Sequence, residues 1–146
     1  MKATSILFMM IIMIIAGCTE QESKFPQGAW QLVYLKVISG DTLRYEFPGN
    51  VTGSDIKMWS ENHFLTVGRF KLDTTFMDNG VGGTYTLNGN RYEETILYYP
   101  GQDGTGEKVK MLLELKNDTL TQTFPVDDNG QIDKNNYNIE KYVRLD

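Results

Sequence analysis

The chain has 146 residues and a formal net charge of −5, and its only cysteine is Cys18. A single cysteine excludes an internal disulfide framework, and an acidic chain has no electrostatic attraction for nucleic acid or anionic lipid head groups. The length suits one domain with one core.

Lys2 supplies a short positive start, and Ile6 to Ala16 then runs without a polar residue. Such a run matches the apolar region of an export signal and is shorter than the roughly 20 helical residues that cross a bilayer. It ends in Ile15-Ala16-Gly17-Cys18, which resembles the lipobox of bacterial lipoproteins. The resemblance implies that residues 1–17 are a cleaved signal peptide. It also implies that Cys18 takes a diacylglycerol and acyl chains such as palmitate, anchoring the protein to a membrane. Removing 17 of 146 residues leaves 129, and losing Lys2 brings the net charge near −6.

Residues 18–27 read as a lipidated tether, because Thr19 to Gln27 is polar and aperiodic. Thr19 stands where an aspartate would favour inner-membrane retention, so the outer membrane is expected. Glu20 and Glu22 leave open the periplasmic or the surface-exposed face.

From Gly28 to Asp146 the pattern is all-β, with no long segment of helical periodicity. Trp30 to Ile38 is the first predicted strand. Asp55 to Ser60 and His63 to Phe70 form a hairpin across Glu61-Asn62. Gly83 to Leu87 and Arg91 to Tyr99 form a second across Asn88-Gly89-Asn90, a strong turn signal. Lys108 to Leu115 and Thr119 to Phe124 form a third across Asn117-Asp118, and Tyr137 to Leu145 closes the chain. Asp41 to Ser54 and Pro125 to Asn136 read as long loops. About eight strands joined by tight turns are most easily completed by closing on themselves, giving a small antiparallel up-and-down β-barrel.

Gly28-Ala29-Trp30 resembles the Gly-x-Trp signature of the calycin superfamily, which includes the lipocalins. Tyr142-Val143-Arg144-Leu145 places Arg144 where that superfamily lays an arginine over the tryptophan. Lys57-Met58-Trp59-Ser60, with Phe64 and Gly68, and the stretch from Gly83 to Glu94 look like lipocalin-like lipoproteins of Gram-negative bacteria. The resemblance spans most of Gly28 to Leu145 and implies a lipocalin-like barrel.

No catalytic constellation is legible. His63 is the only histidine, and no serine sits in a nucleophile elbow. Asp127-Asp128-Asn129-Gly130 with Asp133 misses EF-hand spacing, since Pro125 occupies the first ligand position. Gly101 to Gly106 lacks the Lys-Ser/Thr of a phosphate loop. The expectation is a non-enzymatic protein with no cofactor and no metal ligands.

The second hairpin is the best candidate for binding. Its turn puts Tyr85 and Leu87 on one face with Tyr92, Glu94, Ile96 and Tyr98, opposite Thr84, Thr86, Arg91, Glu93 and Thr95. Glu94 is then inside the barrel, where a carboxylate must be paired, hydrogen-bonded or protonated. It would either orient a ligand's polar group or belong to an internal structural network. Trp59 and Phe64 face each other, but parity does not decide whether they line the interior, because Ile56, Met58, Leu65 and Val67 are as apolar. Trp30, Leu32 and Tyr34 share one side of the first strand. The candidate ligand-binding residues are therefore Tyr34, Trp59, Phe64, Tyr85, Tyr92 and Glu94. The expected function is binding of a small apolar or amphipathic ligand inside a monomeric barrel. The alternative is a protein-interaction or inhibitor module of the cell envelope with a filled barrel. A solvent-reachable cavity of a few hundred Å³ separates the two.

Overall fold

The computed structural model describes residues 25–101 and 105–146; the signal-peptide and Cys18 readings lie outside the described residues. Nine antiparallel strands follow in chain order: β1 (Gly28–Ser39), β2 (Thr42–Phe47), β3 (Val51–Trp59), β4 (His63–Leu72), β5 (Thr75–Asn88), β6 (Arg91–Tyr98), β7 (Lys108–Lys116), β8 (Thr119–Phe124) and β9 (Asn136–Arg144). Each strand from β3 to β9 pairs with the next, and β9 pairs with β1 from Trp30 to Ser39. That last ladder closes an eight-stranded barrel and removes its open edges. β2 is the extra strand. Gly28–Gln31 of β1 pairs with β3, whereas Leu35–Ser39 pairs with β2, so β2 takes the edge that β3 leaves free.

Local chemistry explains the hairpins. Gly40 and Asp41 both have φ of 59°, and Asn117 and Asp118 have φ of 49° and 59°. Two successive left-handed residues form the tight loop whose twist matches that of the flanking strands. The Glu61-Asn62 turn sets Trp59 opposite Phe64, as its spacing predicts.

Several predicted boundaries are corrected. Asp41 to Ser54 is not one loop, because β2 and the start of β3 lie within it. β5 begins at Thr75 rather than Gly83, and its Asp- and Gly-containing first half pairs fully with β4. Residues 25–27 belong to the domain and not to the tether. Pro26 is fully buried, Phe25 packs on the core, and the Pro26 carbonyl accepts the Trp30 indole N–H at 2.8 Å.

Two bulges decide which side chains face inward. In β1, Leu32 pairs with Tyr142 but Tyr34 pairs with Lys141, leaving Val33 as the extra residue. Trp30 and Leu32 are buried, and beyond the bulge it is Leu35 that packs on the core. In β6, Ile96 pairs with Gly83 and Tyr98 with Gly82, so Leu97 is extra and Tyr98 turns outward, 74% exposed. A bulge reverses the facing of every later residue on its strand.

One end of the barrel is sealed. Trp30 packs edge-on against Trp59 with ring centroids 6.4 Å apart. The Arg144 guanidinium lies 4.9 Å from the Trp30 ring centroid and donates to the Gln27 carbonyl at 2.6 Å. A cation over an indole face contributes about 0.5–2 kcal/mol.

Gly68 stands opposite Asp55 in the β3–β4 ladder, and a Cβ there would come within 2.2 Å of the Asp55 Cβ and 2.5 Å of its Cα. Gly68→Ala is expected to cost about 3 kcal/mol, the top of the ordinary overpacking range. A chemical denaturation curve within about 1 kcal/mol of wild type would refute that close approach.

Candidate functional site

The interior beyond the sealed end is not filled. A cavity of about 350 Å³ is walled by Phe64, Val81, Ile96, Val109, Met111 and Phe124, with Lys57, Thr66, Asn79, Glu94, Glu140 and Tyr142 as its polar lining. Its lining also includes Tyr99 and Glu107, which are exposed and mark the mouth. The volume lies at the small end of the range for organic ligands.

Between cavity and seal lies a hydrogen-bonded polar layer. The Lys57 ammonium sits 2.6 Å from Glu94 Oε1, and both side chains are about 5% or less exposed. It also donates to Gln122 Oε1 at 3.2 Å and stands 5.1 Å and 5.2 Å from the Trp59 and Phe64 ring centroids. The Tyr92 hydroxyl donates to Glu94 Oε1 at 2.9 Å and accepts the Trp59 indole N–H at 2.7 Å. Burial, then the negative Glu94, pushes the Tyr92 phenol far above its ordinary value, so it remains a donor.

Two further acids lie close by, Glu140 in the cavity lining and Asp55 buried outside it. The Tyr142 hydroxyl donates to Glu140 Oε2 at 2.8 Å. Burial, opposed by Lys57 and reinforced by Asp55, pushes the Glu140 carboxyl from 4.5 up to about 7. Asp55 is 3% exposed and receives the Asn79 amide at 2.8 Å on Oδ2, while its Oδ1 has no hydrogen-bond partner. Burial raises the Asp55 carboxyl as well, against the Asn79 bond and the charge of Lys57.

The candidate residues divide by depth. Phe64 and Glu94 line the cavity. Trp59 and Tyr92 are buried beneath it and reach it through the bond to Glu94. Tyr85 is half-buried, 5.2 Å from the Tyr92 ring, and its hydroxyl donates to the Ser60 carbonyl at 2.8 Å. Tyr34 is not at the site. The bulge at Val33 turns it outward, where it meets Glu46 at 3.3 Å and the exposed Lys141 at 5.2 Å. Tyr98, placed with Glu94 by simple alternation, also points away, because Leu97 shifts the register.

Lys57, Asp55, Gln122, Glu140 and Tyr142 escaped the sequence reading. The pattern Asp55-x-Lys57-x-Trp59 holds the only available signal, an alternating series with polar members whose other face is apolar. Inverting it requires knowing that the apolar face is the outer one: Met58, Leu65 and Val67 are exposed, Val67 by 52%. Among the described residues no cluster of three or more histidine, cysteine or acidic side chains is arranged to hold a metal ion. His63 is exposed at its hairpin, with its imidazole Nδ1 2.6 Å from Asn62 Oδ1. Comparison with family models, with curated proteins and with solved structures returned no match to this chain.

Proposed function

We propose that the protein is a lipocalin-like lipoprotein of the outer membrane, anchored through Cys18, whose barrel binds a small, partly apolar molecule without catalysis. The observation that carries this reading is the cavity of about 350 Å³, open at the end opposite Trp30 and lined in part by apolar side chains. Apolar ligand surface buried there contributes about 25 cal/mol per Å². The polar layer of Lys57, Glu94 and Tyr92 is mutually bonded beneath the cavity.

The test uses the neutral fluorescent probe N-phenyl-1-naphthylamine at pH 8. Wild type is expected to bind it saturably, and Val109→Trp, which narrows the cavity, is expected to weaken the signal while the far-ultraviolet spectrum stays unchanged. Equal binding by the folded variant would place the probe elsewhere and remove the pocket from consideration. The anchor is tested separately: Cys18→Ser should end incorporation of labelled palmitate and release the protein from the membrane fraction.

A second reading is favoured by the outer wall. Met58, Leu65 and Tyr98 are exposed beside Gly82, forming an apolar stripe across β3 to β6. A protein-interaction module would use such a stripe. Its distinguishing result is partner loss in Leu65→Asp with probe binding intact.

A further inference from the structure

The interior carries more carboxylates than cations. Asp55, Glu94 and Glu140 face inward, Glu107 stands at the mouth, and Lys57 is the only inward-facing cation among the described residues that line the cavity. Lys57 is held by Glu94 at 2.6 Å. The neighbouring elements supply no second cation: β5 contributes the neutral Asn79, β8 the neutral Gln122, and β9 Glu140 with the phenol Tyr142. Lys108 and Lys110 lie on the outer surface, paired with Glu93 and Asp128.

The hydrogen bonding of the two remaining acids is incomplete. Glu140 receives the single Tyr142 proton, and that proton cannot also serve Asp55. Asp55 Oδ1 is left buried and without a donor, on a carboxylate that touches the cavity lining through its bond to Asn79. A buried acceptor in that condition is costly, and a positive donor brought alongside lowers the cost. The apolar lining of Phe64, Ile96, Val109 and Phe124 suits an organic body and not a hydrated inorganic ion.

We propose that the ligand of this pocket is an organic cation, a primary amine on a compact apolar body. Its ammonium sits against Glu140 with the Asp55 carboxylate behind it, and its body lies among Phe64, Val109 and Phe124. This rests on the reading of the barrel as a ligand-binding pocket. Burial of Glu140, which pushes its carboxyl up to about 7, adds a pH dependence: Glu140 is ionised at pH 8 and loses its charge below neutrality.

Three probes of matched length test the charge: n-octylamine, octanol and octanoate, each competing with N-phenyl-1-naphthylamine at pH 8. Octylamine is expected to displace the probe at about a tenfold lower concentration than octanol, as a charge-assisted bond allows, and octanoate to be weakest. In Glu140→Gln the amine preference should fall to about twofold while octanol competes as before, which also shows that the variant is folded. Asp55→Asn provides an independent reduction. Equal competition by amine and alcohol in wild type would overturn the proposal and leave the pocket standing. A tenfold preference undiminished in both variants would overturn it equally. Failure of all three probes, with the naphthylamine signal unaffected by Val109→Trp, would instead remove the pocket itself.

Discussion

Substituting methionine for Lys57 should lower the free energy of unfolding by about 3–5 kcal/mol, the usual consequence of removing one partner of a buried ion pair. The cause is the charge left behind. Glu94 is 3% exposed and has the Lys57 ammonium at 2.6 Å and the Tyr92 hydroxyl at 2.9 Å as its partners. Without the ammonium, one phenolic hydrogen bond remains to offset the desolvation of a carboxylate, and Gln122 Oε1 loses its donor too. The double variant Lys57→Met/Glu94→Leu removes both charges and should recover most of the loss, since apolar replacement of a buried pair is often neutral. Urea denaturation of wild type, both single variants and the double variant measures the coupling. If the single and double variants prove equally unstable, the loss would come from packing around the Lys57 stem and not from the orphaned charge.

The second large effect is a pH dependence set by Glu140. Its carboxyl has a folded value of about 7 against an ordinary 4.5. A raised acid binds its proton more tightly in the folded state, so its contribution to stability is fully present below about pH 4.5 and is lost as pH rises through 7. At about 1.36 kcal/mol per pH unit between 4.5 and about 7, the loss by pH 8 is about 3 kcal/mol. Glu140→Gln keeps an acceptor for the Tyr142 hydroxyl and removes the charge. The variant should match wild type near pH 5 and exceed it by that amount at pH 8. Taking the difference between the two proteins cancels the surface carboxylates Asp78, Asp128 and Asp133, whose lowered values act in the opposite direction at acid pH. A pH-independent difference would mean that Glu140 titrates as an exposed carboxylate.

The same residue thus costs stability where the proposed ligand would need it charged. An ammonium beside Glu140 favours the ionised form and offsets that cost, so amine binding should tighten as pH rises from 6 to 8, on either side of the value of about 7. Sites that trade stability for an ionised group ready to meet a ligand are a recurrent pattern in proteins.

The candidate site was legible in part, and the division follows the distance over which each signal acts. Glu94 was readable as an inward carboxylate because a tight turn at Gly89 and Asn90 locks the facing of Tyr85, Leu87, Tyr92 and Glu94 over a few residues. Lys57 and Glu140 were not, because their strands meet Glu94 only through barrel closure. Tyr34 and Tyr98 were misplaced by the same assumption of unbroken alternation, and one extra residue in each strand, Val33 and Leu97, defeats it.

By itself the sequence determined the all-β character, the three hairpins β3–β4, β5–β6 and β7–β8 and the turns within them, because turn residues and two-residue alternation act locally. It also contained the Trp30 and Arg144 that meet at the sealed end. Closure was expected from the strand count; only the tertiary structure decided the register of the first strand on the last, which faces turn inward after the bulges, and that the interior keeps a cavity with unmatched acids. The register of β1 on β9 joins residues more than a hundred apart, as at Trp30 and Arg144, and no local preference encodes such a contact.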